Sequence, residues 1–300
     1  MFDGKEVSYR TKDLSALREK VGIVLQNPDD QIFSATVEED VAFGPLNLGL
    51  SHEEVEGRVD EALRLTGMEA FRERPSQQLS FGQRKRVALA GSLAMRPKVL
   101  IMDEPTAGLD PQMVRELMEL LDKLVAQGMT AVISTHDVDL AYSWADEAHV
   151  LAHGRSLFSG RLEDFFSSDL VERSGLTPPS VYELDRASDD GHTGPRARRL
   201  PELMAKQRRG RSWGRLTVEV STAVGPANGA MVGSFGPVSR SLLAQTGRRF
   251  PPGPDEVLRE IVQGRDAHIH VDAELVAELN RRIARLEAIG GEKMSVVSRG

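Results

Sequence analysis

Apolar residues in this chain come in short unbroken runs, separated by longer stretches in which they recur every third or fourth position. Lys20 to Gln26 reads Lys-Val-Gly-Ile-Val-Leu-Gln and predicts a buried strand that Asn27-Pro28-Asp29-Asp30 breaks. Residues 51–67 open on Ser51 and Glu54, a capping box, and carry Val55, Val59, Ala62 and Leu63 at helical spacing. Val99 to Met102 and Thr130 to Ser134 are continuous apolar or β-branched runs, the pattern of strands buried on both faces of a parallel sheet. Between them a helix opens at Asp110-Pro111, presents Met113, Leu117, Leu120 and Leu124, and stops at Gly128. Strand, helix, strand is one right-handed βαβ crossover. Short strands at His149 to Ala152 and Ser156 to Phe158, split by Gly154, complete a first α/β domain over residues 1–165. A linker is expected over 166–215, because Arg196, Arg198, Arg199, Arg208, Arg209 and Arg211 stand there among Gly, Asp and Pro with few apolar partners. Residues 216–300 then read as a small α/β appendage: strands at Leu216 to Val220 and Ala267 to Val271, a helix at Val238 to Thr246, and a helix from an Asp272 N-cap to Ile289 with Leu275, Leu279, Ile283 and Leu286 on one face.

Composition narrows the function more than the fold. In 300 residues, 45 acidic side chains exceed 38 basic ones, and the net charge of −7 argues against nucleic acid as a partner. The chain has no cysteine, so disulfides and thiolate metal sites are excluded. The start, Met-Phe-Asp-Gly-Lys-Glu, lacks the apolar core of a signal peptide, and no run approaches the ~18 apolar residues that span a bilayer. A membrane role would therefore pass through a partner.

The chemistry-bearing positions follow the runs. A strand ending in Asp103-Glu104 delivers two carboxylates to the carboxyl edge of a parallel sheet, where open α/β folds bind ligands. There Asp103 suits the coordination shell of a magnesium ion and Glu104 the polarisation of an attacking water, although an acidic pair making turn contacts gives the same text. Leu79-Ser80-Phe81-Gly82-Gln83 runs into a helix over Arg84 to Met95. Ser80 and Gln83 form a capping box, which explains the stretch by itself; the same helix start, with close approach at Gly82, is also an anion site suited to a γ-phosphate. Asp110 is a helix N-cap in Ala107-Gly108-Leu109-Asp110. His136, in Ser134-Thr135-His136-Asp137, is expected beside Glu104 on the neighbouring strand end, and Gln26 ends a strand of its own.

In this order and spacing, residues 1–165 resemble the nucleotide-binding subunit of ATP-binding-cassette (ABC) transporters. Val24 to Phe33 (Val-Leu-Gln-Asn-Pro-Asp-Asp-Gln-Ile-Phe) and Thr36 to Pro45 resemble the ATPases of energy-coupling-factor importers, especially the cobalt type. The resemblance implies a P-loop NTPase-like α/β fold, N-terminally incomplete, whose parallel sheet carries a helical subdomain at about residues 27–95. It implies ATP and Mg2+ as cofactors, with Asp103 and Gln26 at the metal and Gln26 as the Q-loop glutamine. Ser80, Gly82 and Gln83 become the signature that meets ATP across a dimer, Asp110 the D-loop residue, and His136 the switch histidine. The partners implied are a homologous or identical ATPase subunit and integral membrane transporter subunits that move cobalt, nickel or a vitamin, with the chain peripheral on the cytoplasmic face of the cell membrane. Asp29, Asp30, Glu38, Glu39 and Asp40 would receive basic coupling helices; a plain solvated acidic surface is the alternative.

The sequence departs from the family at the phosphate cradle. Gly-x-x-x-x-Gly-Lys-Ser/Thr is not found, and Gly4-Lys5 is followed by Glu6. Charge-assisted hydrogen bonds contribute about 1.5–3 kcal/mol each, against about 4 kcal/mol in total for a millimolar ligand. The expectation is a truncated or partner-dependent subunit that binds ATP weakly alone and completes a site on an intact partner. Two other classes are a soluble cassette ATPase of DNA repair or translation, without the usual coiled-coil insertion or second cassette, and a regulatory module built on the appendage. For the latter, His268 and His270 alternate on a strand and invite, with His192, a metal-sensing reading, although exposed surface histidines explain them as well; Gly229 to Gly236 reads as a ligand loop or a tight turn.

Overall fold

The computed structural model describes residues 6, 8, 10–187, 197–207, 213, 215–220, 231–236, 239–240, 243 and 252–299. It divides into two compact units, Met1–Thr135 and His136–Gly300.

The first unit runs α1 (Thr11–Arg18), β1 (Val21–Val24), a 3-10 turn at Pro28–Asp30, α2 (Val37–Asn47), α3 (His52–Thr66), α4 (Phe81–Ala94), β2 (Val99–Asp103), α5 (Pro111–Ala126) and β3 (Thr130–Ser134). The strands form a parallel sheet in the order β1-β2-β3, with Val24 beside Met102 and Asp103 beside Ser134. Helices α2, α3 and α4 pack on one another, and α4 also touches β1. Each helix starts where its caps dictate. Ser51 and Glu54 close both halves of the box on α3, and Gly67 ends it at φ 68°. The box of Thr36 and Glu39 starts α2 in a stretch where Gly44 and Pro45 had hidden helical spacing.

The expectation that these strands are buried on both faces is corrected. Val24, Leu100 and Met102 are buried, whereas Ile23, Ile101 and Val132 form a row across the strands that is 53%, 37% and 47% exposed. The apolar runs predicted two covered faces, and only one is covered among the described residues.

The second unit begins with α6 (Val138–Trp144), the antiparallel hairpin β4 (Ala148–Ala152) and β5 (Arg155–Gly160), and α7 (Leu162–Phe166). Tyr142, Phe165, Phe166 and Tyr182 are buried together here, with edge-on and tilted ring contacts. The stretch read as a solvated linker contains α8 (Leu170–Ser174), α9 (Ser180–Ala187) and α10 (Leu200–Gln207). Its polar residues are engaged internally: Arg198 Nε donates to Tyr142 O at 2.8 Å and lies 3.5 Å from Glu163, and Lys206 donates to the buried Asp185 at 3.1 Å.

Strands β6 (Arg215–Val220), β7 (Met231–Phe235), β8 (Ala267–Val271) and β9 (Ser295–Arg299), with α11 (Pro254–Val262) and α12 (Val276–Gly290), form a parallel sheet in the order β7-β8-β6-β9. The helix expected over 238–246 falls largely outside the described residues, as do His192 and Gly229. Asp272 does not cap the following helix. Its carboxylate accepts the Ser239 N–H at 2.7 Å, and a 3-10 turn at Ala273–Leu275 leads into α12. The reading of His268 and His270 as surface residues is overturned: both are buried on an interior strand, with rings stacked at 5.0 Å. No helix among the described residues is long and apolar enough to cross a membrane.

Candidate functional site

The carboxyl ends of β2 and β3 bring Asp103, Glu104, Ser134 and Thr135 together. Asp103 Oδ1 accepts the Ser134 hydroxyl, and Glu104 Oε2 accepts the Thr135 hydroxyl at 3.2 Å. Glu104 itself stands at φ 41°, in the left-handed region that costs a non-glycine residue roughly 1–3 kcal/mol. Its N–H is held by Ser134 O at 2.9 Å, and Ala107 N–H returns to Glu104 O at 3.2 Å. The strained residue is thus fixed from both sides.

The start of α4 is built from its own cap. Ser80 Oγ accepts Gln83 N–H at 3.3 Å, and Gln83 Oε1 accepts Ser80 N–H at 2.9 Å, so the Gln83 amide oxygen is engaged within the turn. Ser80 is exposed, while Gly82 is buried beneath α5: a Cβ there would stand 2.8 Å from Met113 Sδ and closer still to Met113 Cε. The close approach that Gly82 permits is therefore to Met113. Asp110 caps α5 by accepting Met113 N–H at 2.8 Å. Ser80, Gly82, Glu104 and Asp110 accordingly belong to two helix starts and one strand end in direct contact. Gln26 is exposed two residues beyond β1, at the same sheet edge as Asp103. His136 is exposed at the start of the second unit, just before Asp137, whose carboxylate accepts Leu140 N–H at 2.9 Å and caps α6.

Comparison with known proteins decides the family. Residues 1–107 match the family model described as ABC transporter. The chain is 52% identical over 185 residues to the energy-coupling factor transporter ATP-binding protein EcfA of Methanocaldococcus jannaschii, covering 61% of this chain and 66% of that one. It is 48% identical over 192 residues to EcfA of Methanosphaera stadtmanae, covering 64% and 69%. This chain belongs to the ATP-binding proteins of energy-coupling factor ABC transporters. Among solved structures, CbiO1 of Clostridium perfringens, described as part of the ABC transporter complex CbiONQ, is similar at 47% identity and a TM-score of 0.52, over 58% of this chain and 69% of that one. The chain spans 66% of the length of its Methanocaldococcus relative.

Two residues of this cassette that sequence reasoning missed organise the site. Lys85, one turn into α4 and only 6% exposed, donates to Glu104 O at 2.9 Å, Pro105 O at 3.2 Å and Ala107 O at 2.8 Å. Burial holds its pKa below the ordinary lysine value, a shift that the Glu104 and Asp103 charges only partly offset. Gln31 accepts Leu25 N–H at 3.0 Å and donates to Ile23 O and Ala88 O, both at 3.2 Å, which pins the segment before Gln26 to α4. Local pattern gives no signal for either, because their partners are far away in sequence.

The acidic residues expected to receive basic helices are mostly engaged inside the cassette. Asp29 pairs with Arg84 Nε at 2.7 Å, off the hydrogen-bond axis. Glu38 accepts from Arg72 at 2.6 Å, Asp40 accepts Phe33 and Ser34 N–H at 3.1 and 2.8 Å, and Glu39 caps Thr36 N–H at 3.1 Å. Beside them lies an apolar patch: Phe33 and Phe43 meet edge-on at 4.6 Å between centroids and are exposed, as is Leu46.

Magnesium carried on nucleotide phosphates asks for only one or two protein oxygens. Asp103, exposed at the sheet edge and oriented by Ser134, fits that demand, and Gln26 lies at the same edge. Among the described residues no group of three or more His, Asp or Glu is arranged to hold a metal ion by itself.

Proposed function

We propose that this chain is the ATP-binding and ATP-hydrolysing subunit of an energy-coupling factor importer, acting as one half of a pair of homologous or identical cassettes that close on ATP. The observation that carries the reading is the contact block that fixes the Ser80 helix start, the Asp103-Glu104 strand end and the Asp110 cap as one body.

Phosphoryl transfer needs positioning and charge stabilisation more than covalent chemistry. Glu104, held by Thr135, orients and polarises the attacking water as general base. Asp103, with Gln26, would hold a magnesium ion, which would supply neutralisation of phosphate charge. His136 hydrogen-bonds the γ-phosphate. The first turn of α4 presents its N–H groups and positive dipole end to the nucleotide of the opposing cassette, with Ser80, Gly82 and Gln83 as its lip and Asp110 aligning that site.

The membrane subunits dock on the patch of Phe33, Phe43 and Leu46, which places the chain peripherally on the cytoplasmic face of the cell membrane. Its internally paired acidic neighbours leave apolar contact as the main attraction there. The cargo is cobalt, a related metal ion or a vitamin, the class implied by the resemblance of Val24 to Phe33 and Thr36 to Pro45 to cobalt-type importer ATPases. Co-expression with the adjacent permease tests this: the tagged chain retains the membrane subunits and supports uptake of labelled cobalt, and F33D/F43D loses both while remaining folded. Retention and uptake unaffected by that double substitution would contradict the docking surface, and no retention by the unaltered chain would contradict the importer reading.

A further inference from the structure

We propose that Lys85 is the positioning residue that locks the signature helix to the loop joining the Asp103-Glu104 pair to Asp110, so that the two halves of the catalytic apparatus move as one. The proposal rests on the ATPase reading above and adds to it a group to which that reading gives no role.

A lysine has three N–H donors, and here all three have backbone acceptors, Glu104 O, Pro105 O and Ala107 O. A cation buried to 6% exposure is costly unless its donors are satisfied, and carbonyls converging from one short loop supply that compensation. The loop in turn needs an external hold. Glu104 is a non-glycine residue at φ 41°, a departure from relaxed backbone, and Gly108 makes the following left-handed turn at φ 74°. Its internal hydrogen bonds, Ala107 to Glu104 and Leu109 to Thr106, are both 3.2 Å long.

Two apolar contacts guide the same docking. Phe81 lies against Gly108, where a Cβ would come within 2.9 Å of the ring, and Gly82 lies against Met113. The Lys85 ammonium also stands 5.5 Å from the centre of the Phe81 ring. These contacts bring α4 and the loop together, and the Lys85 bonds fix the register of the carbonyls. Since Glu104 supplies one of those accepting carbonyls and carries the carboxylate, a shift of the loop displaces the proposed base and the Asp110 cap together. A displacement of about 1 Å in a catalytic group costs on the order of a hundredfold in rate.

The test is steady-state hydrolysis by the assembled cassette pair with the phosphate-binding loop in place, comparing unaltered protein, K85M, K85R and S80R. K85M is expected to lower kcat roughly a hundredfold with KM for ATP changed less than about threefold, because binding groups stay while the reacting geometry loosens. K85R, which keeps the charge and several donors, is expected to recover at least about a tenth of the rate. Amide exchange at Ala107 and Leu109 is expected to quicken in K85M and less in K85R, a readout independent of turnover and measurable in K85R even where K85M does not fold. Unchanged kcat in folded K85M, or unchanged exchange at Ala107 and Leu109 in both variants, overturns the proposal. Absence of hydrolysis above background by the unaltered pair overturns the ATPase reading instead, hydrolysis by S80R equal to that of an active unaltered pair removes Ser80 from the site, and the exchange data still decide whether Lys85 is the clamp.

Discussion

Arg72 lies between Glu38 and Asp60 and ties the start of α2 to α3, donating to both carboxylates. Its hydrogen bond to Glu38 holds that carboxyl below the usual glutamate range, with burial working the other way. A carboxylate whose pKa falls on folding adds stability that is fully present above its unfolded pKa and lost as pH drops through the folded one. The gap in urea midpoint between unaltered protein and E38Q is therefore expected to hold constant near neutral pH and to close below the ordinary carboxylate range. The pair is partly exposed, so the stability difference behind that gap is no more than about 1 kcal/mol. Legibility at individual positions follows sequence separation. Ser80 and Asp110 were readable because a cap bonds to an N–H three residues on. Lys85 reaches carbonyls 19 to 22 residues away and Gln31 reaches Ala88, 57 residues away, distances over which no pattern of residue types carries information. For the same reason the Met113 side chain that packs on Gly82 leaves no trace in the sequence pattern.

Helices whose N-cap precedes regular apolar spacing were the most legible elements: α3, α4 and α5 start at the residues their caps announce. Elements held by distant packing were not. Helix α2 contains Pro45, and at Gly44 the Met95 side chain occupies the space of a side chain. Strand β7 includes Gly233, which a loop reading favours, yet a Cβ there would lie 2.7 Å from Pro252 O. The basic stretch after residue 166 looked solvated because composition cannot show that its charges have buried partners. Lys206, on α10, meets the fully buried Asp185 of α9 at 3.1 Å. K206M is expected to destabilise the protein by on the order of 3 kcal/mol, since it strips a buried carboxylate of its cation. K206M/D185N is expected to recover part of that loss, and a double-mutant cycle by chemical denaturation measures the coupling; purely additive losses would mean that the pair contributes no specific interaction.

The molecule as a whole joins a cassette body to a second unit whose first residues include His136. The α/β class and its parallel sheet were legible because strands and helices alternate with the right periods, but the open face of Ile23, Ile101 and Val132 was not, since an apolar run reads alike whether one side or both are covered. The family follows from the relatives; the reaction proposed here rests on Glu104 acting as the base. ATP hydrolysis by the cassette pair with its phosphate-binding loop in place, unaltered against E104Q, measures this directly. The amide keeps the shape and the Thr135 contact but cannot accept a proton, so turnover is expected to fall by roughly a hundredfold to ten-thousandfold with nucleotide binding retained. An E104Q pair hydrolysing ATP at the unaltered rate would contradict the assignment.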